Sequence, residues 1–359
     1  MAEASHPLDR YHRQMLLPAI GEAGQQRLAA SHALIVGCGA LGSVIADSLC
    51  RAGVGRLTIV DRDVVERTNL QRQVVFDERD AGSAMPKAEA AKRRLAVVNS
   101  SVQIVAHVDD FNARNAERYA EGADILLDGL DNFETRYLLN DLAVKQRIPY
   151  VYGGAVGTTG MSFTFMHGGQ PCLRCLFPDP PPPGTMATCD TAGVLGPAAG
   201  IVALYQSTQA IKLLSGNDEA IDRFMLSIDI WTNELRRFDM RGAQQADCVC
   251  CAQRRFEFLD GRAAAGAVSL CGRNAVQINP MMSGNAAQPC LDLHAIAMRL
   301  AAHGQFHLSD DMLRGEFRDE KTETGAPMQM MLFSNGRAII TGTPNTDIAR
   351  SLYARYVGS

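Results

Sequence analysis

The chain lacks any long basic run. Its 359 residues carry 35 Lys and Arg against 39 Asp and Glu, a formal net charge of −4. A nucleic-acid partner needs a massed positive footprint, so that class is set aside. No apolar stretch is long enough to span a bilayer. The longest, Gly193 to Tyr205, is broken by Gly and Pro and reads as a buried helix. The N-terminal stretch is polar and mixed in charge, without the apolar core of a secretory leader, so a cytoplasmic setting is expected. No internal repeat recurs at a fixed period.

What is present is ordinary globular composition, 47% hydrophobic and 21% charged, long enough for one large core and a smaller second domain. The ten cysteines are the exception. In a chain without a leader they argue for metal or thiol chemistry in a reducing compartment rather than a disulfide framework.

The segment Ala33 to Gly42 (ALIVGCGALG) organises the rest. Leu34, Ile35 and Val36 suit a buried parallel strand. Gly37, Gly39 and Gly42 then follow in the G-x-G-x-x-G spacing, and an amphipathic stretch from Ser43 to Arg51 comes next. Glycine lets the backbone turn sharply and approach a phosphate, and the following helix aims its free N–H groups at that phosphate. A second strand, Leu57 to Val60, ends at Asp61, placed as a ribose-binding acid. This much defines a nucleotide-binding unit and fits a nicotinamide dehydrogenase equally well.

Further strands are expected at Val102 to Ala106, Ala123 to Leu127 and Tyr150 to Tyr152. Helices are expected at Gly21 to Ala30, from Lys87, and at Glu134 to Lys145. Strands alternating with helices predict an α/β fold, a Rossmann-like doubly wound and mostly parallel sheet. Gly157 to Met166 reads as an antiparallel extension. Pro180 to Pro183 mark a stiff exposed loop, part of a crossover of about residues 176–192, before a core helix from Pro197 to Ser215. Residues 1–252 form the main domain. Residues 253–359 read as a small α+β domain with a helix at Leu291 to Ala302, a hairpin turn at Asn335-Gly336 and a closing helix from about Thr346.

The strongest metal signal is Cys172-x-x-Cys175 with Cys248-x-x-Cys251. Four thiolates converging tetrahedrally suit a closed, structural zinc site; a redox pair or unlinked core thiols are the alternatives, and Cys250 reads as a spectator. Arg13, Arg72 and Lys87 supply cations around the glycine loop, more than a dinucleotide pyrophosphate requires and in keeping with a triphosphate undergoing displacement. Asp131, at a strand C-terminus, fits a Mg²⁺ ligand or, equally, a cap for the helix after it.

The segments RYHRQ (10–14), GCGALG (37–42), Asp61, NLQRQ (69–73), Lys87, DNFETRYLLND (131–141), the paired C-x-x-C knuckles and TCDTAGVLGP (188–197) occur in one order. Together they resemble the ThiF/MoeB family, bacterial relatives of ubiquitin-activating enzymes, over about residues 8–252. The resemblance implies adenylation of the C-terminal glycine of a ubiquitin-like sulfur-carrier protein, using MgATP and releasing pyrophosphate. It assigns Gly39 and its glycine neighbours to the phosphates and Asp61 to the ribose. Asn69, Arg72 and Lys87 fall to the triphosphate, and Asp131 to magnesium. Arg13 resembles the family arginine that reaches into the partner subunit's site, which implies a homodimer. Cys189 matches a loop cysteine that in some members links covalently to the activated carrier and in others is dispensable.

Longer relatives often end in a rhodanese domain. Neither Cys271-Gly-Arg-Asn nor Cys290 fits its reactive loop, so residues 253–359 are expected to be a docking or dimer-supporting module. The rival readings are activation of a small-molecule or tRNA-linked carboxylate by a related enzyme, and a non-catalytic ATP-binding scaffold.

Overall fold

The structure, a computed structural model, describes residues 8–168, 170–179, 193–260, 267–270, 274–279, 291–309, 311–322 and 324–357. Pro180 to Pro183, Cys189, Cys271 and Cys290 lie outside the described residues. The chain separates into two compact units, Met1–Ala263 and Ala264–Ser359.

The first unit is an eight-stranded sheet in the order β3-β2-β1-β4-β5-β6-β7-β8. Its parallel strands are β1 (His32–Val36), β2 (Arg56–Val60), β3 (Gln103–His107), β4 (Ile125–Asp128) and β5 (Tyr150–Val156). Then β6 (Thr159–Phe165), β7 (Phe224–Asp229) and β8 (Glu234–Asp239) continue antiparallel. The α/β, doubly wound reading with an antiparallel extension is therefore what the chain adopts.

Both faces of β1 are covered, which is why it reads as an unbroken apolar run. Ala33 and Ile35 join a core built with helices Gly42–Ala52, Lys87–Val98 and Gly196–Leu214, while Leu34 and Val36 join one built with helix Phe133–Gln146. Full burial of each such side chain contributes about 1.5–3 kcal/mol. Chain order reverses between β1 and β4, so the crevice outside their C-terminal ends is where an open α/β sheet takes a ligand.

Two expectations needed adjustment. The strand begun at Tyr150 runs on to Val156, because β6 pairs with its whole length. The first unit also extends beyond Ala252: Phe256 and Leu259 are buried in its core, and Asp141 Oδ2 accepts from the Phe258 and Leu259 N–H groups at 2.9 and 3.4 Å.

The second unit is an antiparallel sheet in the order β11-β12-β13-β14-β10-β9. Its strands are β9 (Ala267–Leu270), β10 (Ala275–Ile278), β11 (Gly304–Leu308), β12 (Met312–Lys321), β13 (Pro327–Phe333) and β14 (Ala338–Thr341). Helices Leu293–Leu300 and Thr346–Tyr356 pack on it through Ile296, Leu300, Leu352 and Tyr353. The Asn335-Gly336 turn joins β13 to β14, with Gly336 at φ 82°, a value that favours glycine.

Candidate active site

The glycine loop follows β1 and is held by backbone contact. Gly37 has φ 87° and its N–H reaches Val60 O at 2.8 Å. A Cβ on Gly42 would collide with the Gly37 carbonyl, and one on Gly129, just past β4, would collide with the same oxygen. Gly37 and Gly42 therefore serve close packing of the β1 and β4 loops. A Cβ at Gly39 would meet only ordinary contacts, with Gln73 Nε2 and Gly129 O at 3.9 Å, so this glycine is not required by the packing of the loop.

Asp61 comes to the loop from the end of β2. It is buried, and its Oδ2 accepts from Cys38 N at 2.5 Å while Oδ1 accepts from Asp63 N at 2.7 Å. Burial pushes its carboxyl up, against the pull of Lys87. The acid and the glycine loop are thus one hydrogen-bonded piece, as their spacing in the sequence leads one to expect.

Asn69 is buried at the end of a short 3-10 turn, where its Oδ1 accepts from Glu66 N at 2.9 Å. Its Nδ2 and the Oε1 of Gln73, also buried, have no partner among the described residues. Leaving such a group unbonded costs about 1–3 kcal/mol, so a polar ligand that bonds them recovers that cost. Gln73 lies beside Gly39, its Nε2 3.9 Å from where a Cβ would stand. Gln73 thus brings a buried polar group without a partner among the described residues up beside the glycine loop.

The cations differ in setting. Lys87 opens helix Lys87–Val98, is 3% exposed, and its Nζ is 3.0 Å from Asp63 Oδ2. Arg72 is half-buried, donates Nη1 to Thr68 O at 2.7 Å, and abuts the N-terminus of helix Gly196–Leu214 so closely that a Cβ on Gly196 would press on Gln71 O and Arg72 Cβ. Arg62 went unnoticed in the sequence. Its Nη1 meets Asp110 Oδ1 at 2.8 Å, and although burial works against its charge, Asp110, Asp63 and Asp131 together raise its pKa. A charged residue one step past the ribose acid was the available signal.

Asp131 is exposed, past the end of β4. It does not cap the following helix. Asn132 does, its side chain accepting from Thr135 N at 2.9 Å. The loop ahead of Asp131 is held from beneath by Asp128 and Arg136, which sequence reading passed over. Asp128 Oδ1 accepts from Leu130 N at 2.9 Å, and Arg136 Nη2 donates to Leu130 O at 2.7 Å and Gly153 O at 3.0 Å. Tyr150 OH donates to Asp128 Oδ2 at 2.7 Å, and Gln206 Nε2 reaches Asp128 O at 2.9 Å.

Arg13 stands apart from these groups. It is exposed on helix His12–Met15, and Gln14 beside it donates to Ala52 O at 3.1 Å, at the far end of helix Gly42–Ala52. Gly42 and Ala52 are the first and last residues of that 11-residue helix, about 15 Å apart at the standard rise.

Cys172, Cys175, Cys248 and Cys251 come together with all four sulfurs within 4.8 Å of one another. The separations 172–175, 172–248 and 175–251 are 4.0, 3.7 and 3.5 Å. A tetrahedral zinc with bonds of about 2.3 Å sets its sulfurs about 3.8 Å apart, so the quartet fits that ion. Cys250 is buried outside the quartet, and Asn140 Nδ2 reaches its Sγ at 3.3 Å. The same Asn140 accepts from Leu173 N at 2.8 Å, joining both knuckles to the helix that follows Asp131.

Known proteins point the same way. The ThiF family profile matches residues 11–250. The sulfur carrier protein ThiS adenylyltransferase of Bacillus subtilis is 42% identical over 349 residues, covering 97% of this chain and 99% of that protein. The sulfur carrier protein adenylyltransferase of Thermus thermophilus is 38% identical over 266 residues, covering 72% of this chain and 97% of its own. Among solved structures, E. coli MccB with succinimide superposes with a TM-score of 0.60 at 22% identity, over 69% of this chain and 75% of that one, a likeness of fold. No helix among the described residues is long and apolar enough to cross a membrane. The chain belongs to the ThiF family.

Proposed function

We propose that this protein is an adenylyltransferase that uses ATP and Mg²⁺ to activate the C-terminal glycine carboxylate of a ubiquitin-like sulfur carrier, releasing pyrophosphate. The observation that carries the reading is the glycine loop with Asp61 hydrogen-bonded to it at Cys38 N, and with Gln73, whose buried Oε1 has no partner among the described residues, beside Gly39. Asp61 would take the ribose hydroxyls. Asn69, Arg72 and Lys87 would hold the triphosphate. Sulfur-carrier adenylyltransferases that match nearly their whole length to this chain support the choice of acceptor.

The chemistry needs no general base, because a carboxylate is already ionised at neutral pH. One carboxylate oxygen bonds to the α-phosphorus as the bond from that phosphorus to the oxygen bridging the α and β phosphates breaks, that oxygen leaving with its electron pair as a terminal oxygen of pyrophosphate. The protein's work is to align the two and to stabilise charge on the leaving group. Asp131 would hold Mg²⁺, which when bound neutralises phosphate charge. The four cysteines would hold zinc with no open position, a structural rather than catalytic use.

Arg13 would act on the site of a second copy. Its distance from its own glycine loop favours that arrangement, and a homodimer follows from it. Cys189 is the candidate thiol for attack on the activated glycine, and the C-terminal unit a candidate docking or dimer-supporting module.

Exchange of labelled pyrophosphate into ATP tests the reading, with the ThiS protein of Bacillus subtilis as carrier probe. Exchange should depend on the carrier, stop when its last glycine is deleted, and be abolished in folded Arg72→Ala and Asp131→Ala proteins. Wild-type rates in either variant would overturn it.

A further inference from the structure

The segment Arg10-Tyr11-His12-Arg13-Gln14 divides sharply between groups that bind the protein body and groups that do not. Arg10 Nη1 donates to Asn99 Oδ1. Tyr11 is buried, its OH accepts from Asn99 Nδ2 at 2.7 Å, and its ring fills the space where Gly53 would carry a Cβ. Asn99 Nδ2 is held in turn by Cys50 O at 2.8 Å. On the other side Gln14 Nε2 donates to Gln25 Oε1 at 2.7 Å and to Ala52 O at 3.1 Å, and Gln25 Nε2 reaches the same Ala52 carbonyl at 3.0 Å. His12 and Arg13 are exposed.

A helix of four residues has no stability of its own, since nucleation costs more than so few bonds return. Its direction is therefore set by what grips it. Here the grip is on both flanks of Arg13, and it lies on the last turn of the helix that begins at the glycine loop. Gly53 is committed twice over, by its φ of 83° and by the Tyr11 ring against it.

We infer that Tyr11 and Gln14 are positioning residues for the adenylation step: they fix the Arg13 helix to the end of helix Gly42–Ala52 so that Arg13 is presented to the active site of a second copy of the chain. The inference rests on the adenylyltransferase reading and on Arg13 acting between copies. It adds that a defect in the clamp is felt in the other subunit's site and not in the site of the chain that carries it. An arginine held about an ångström from its working position costs up to about a hundredfold in rate.

Subunit mixing reads this directly. Gln14→Ala homodimers should exchange pyrophosphate about tenfold to a hundredfold more slowly than wild type with the ThiS probe. In the Arg13→Ala background, Gln14→Ala should cause no further loss. A mixed dimer of one Gln14→Ala chain and one Asp131→Ala chain, purified through two tags, keeps one intact site that receives Arg13 from an intact clamp. It should regain about half the wild-type rate per dimer, as expected for one of two symmetric sites.

Arg13→Ala mixed with Asp131→Ala is the control. If the control recovers and the Gln14→Ala mixture does not, the clamp is overturned. If neither recovers, action between copies fails, and the clamp with it. Wild-type exchange by Gln14→Ala homodimers also overturns it. Tyr11→Phe, which deletes only the hydroxyl that Asn99 reaches, repeats the test should Gln14→Ala not fold.

Discussion

Arg136 and Asp128 form an ion pair shut away from water, with Nε 3.1 Å from Oδ2 and side chains 7% and 0% exposed. Burial pushes the Asp128 carboxyl up and the Arg136 guanidinium pulls it back. The Arg136 Nη2 is spent on Leu130 O and Gly153 O, so the pair fixes the loop that ends in Asp131.

Removing one partner strands the other charge in the interior. Arg136→Ala should lose about 3–5 kcal/mol of stability in urea unfolding. Arg136→Lys keeps the charge but lacks the planar fork that serves three acceptors, so it should recover only part of that loss. An unchanged urea midpoint in Arg136→Ala would show that the pair carries no stability.

Asp131 and its neighbour should separate cleanly. Asn132→Ala removes the cap on Thr135 N and should cost about 1 kcal/mol. Asp131→Ala, exposed and outside the cap, should melt within a degree or two of wild type while losing pyrophosphate exchange. A stability loss in Asp131→Ala equal to that in Asn132→Ala would return Asp131 to a structural role.

The contrast between these residues marks where the sequence was readable. Strand and helix identity came through because apolar period and glycine spacing act locally, and the four cysteines declared themselves by pairing at two fixed intervals. Asp128 and Arg136 did not, because their significance lies in meeting across eight positions inside the fold. Likewise Asp131 and Asn132 are equally plausible caps in a sequence, and only backbone geometry at Asn132 decides between them. The clamp on Arg13 was hidden for the same reason, since Tyr11 and Asn99 lie 88 positions apart.

The cysteine quartet predicts one zinc per chain. Stripping it with a chelator and a thiol reagent should lower the melting temperature steeply, since such sites contribute on the order of 10 kcal/mol. Cys251→Ala should lose the metal and the same stability. A chain with all four thiols free and an unchanged melting temperature would exclude the structural role.

Asp141 gives the stability a pH dependence. Burial pushes its carboxyl up to about 6 despite the Phe258 and Leu259 N–H groups, while the unfolded chain releases that proton near 3.9, about the ordinary value. Between the two the folded chain binds more protons, so this residue's contribution to stability falls as pH rises from about 4 to about 6 and stays low above that. Asp141→Asn should flatten the curve and raise stability at pH 7 by about 1–3 kcal/mol. An unchanged pH profile in chemical denaturation would remove Asp141 as its source.

The three glycines at the switch point impose a restriction on sequence drift. Because Gly37, Gly42 and Gly129 meet as bare backbone, a methyl gained at any of them must be answered by retreat of the backbone of at least one other. One-step mutational paths through these positions are closed. Change is directed instead to the residues that look onto the nucleotide from outside. The gap between the ends of the first and fourth strands becomes a fixed gauge, and variation in what the site accepts is left to the surfaces around it.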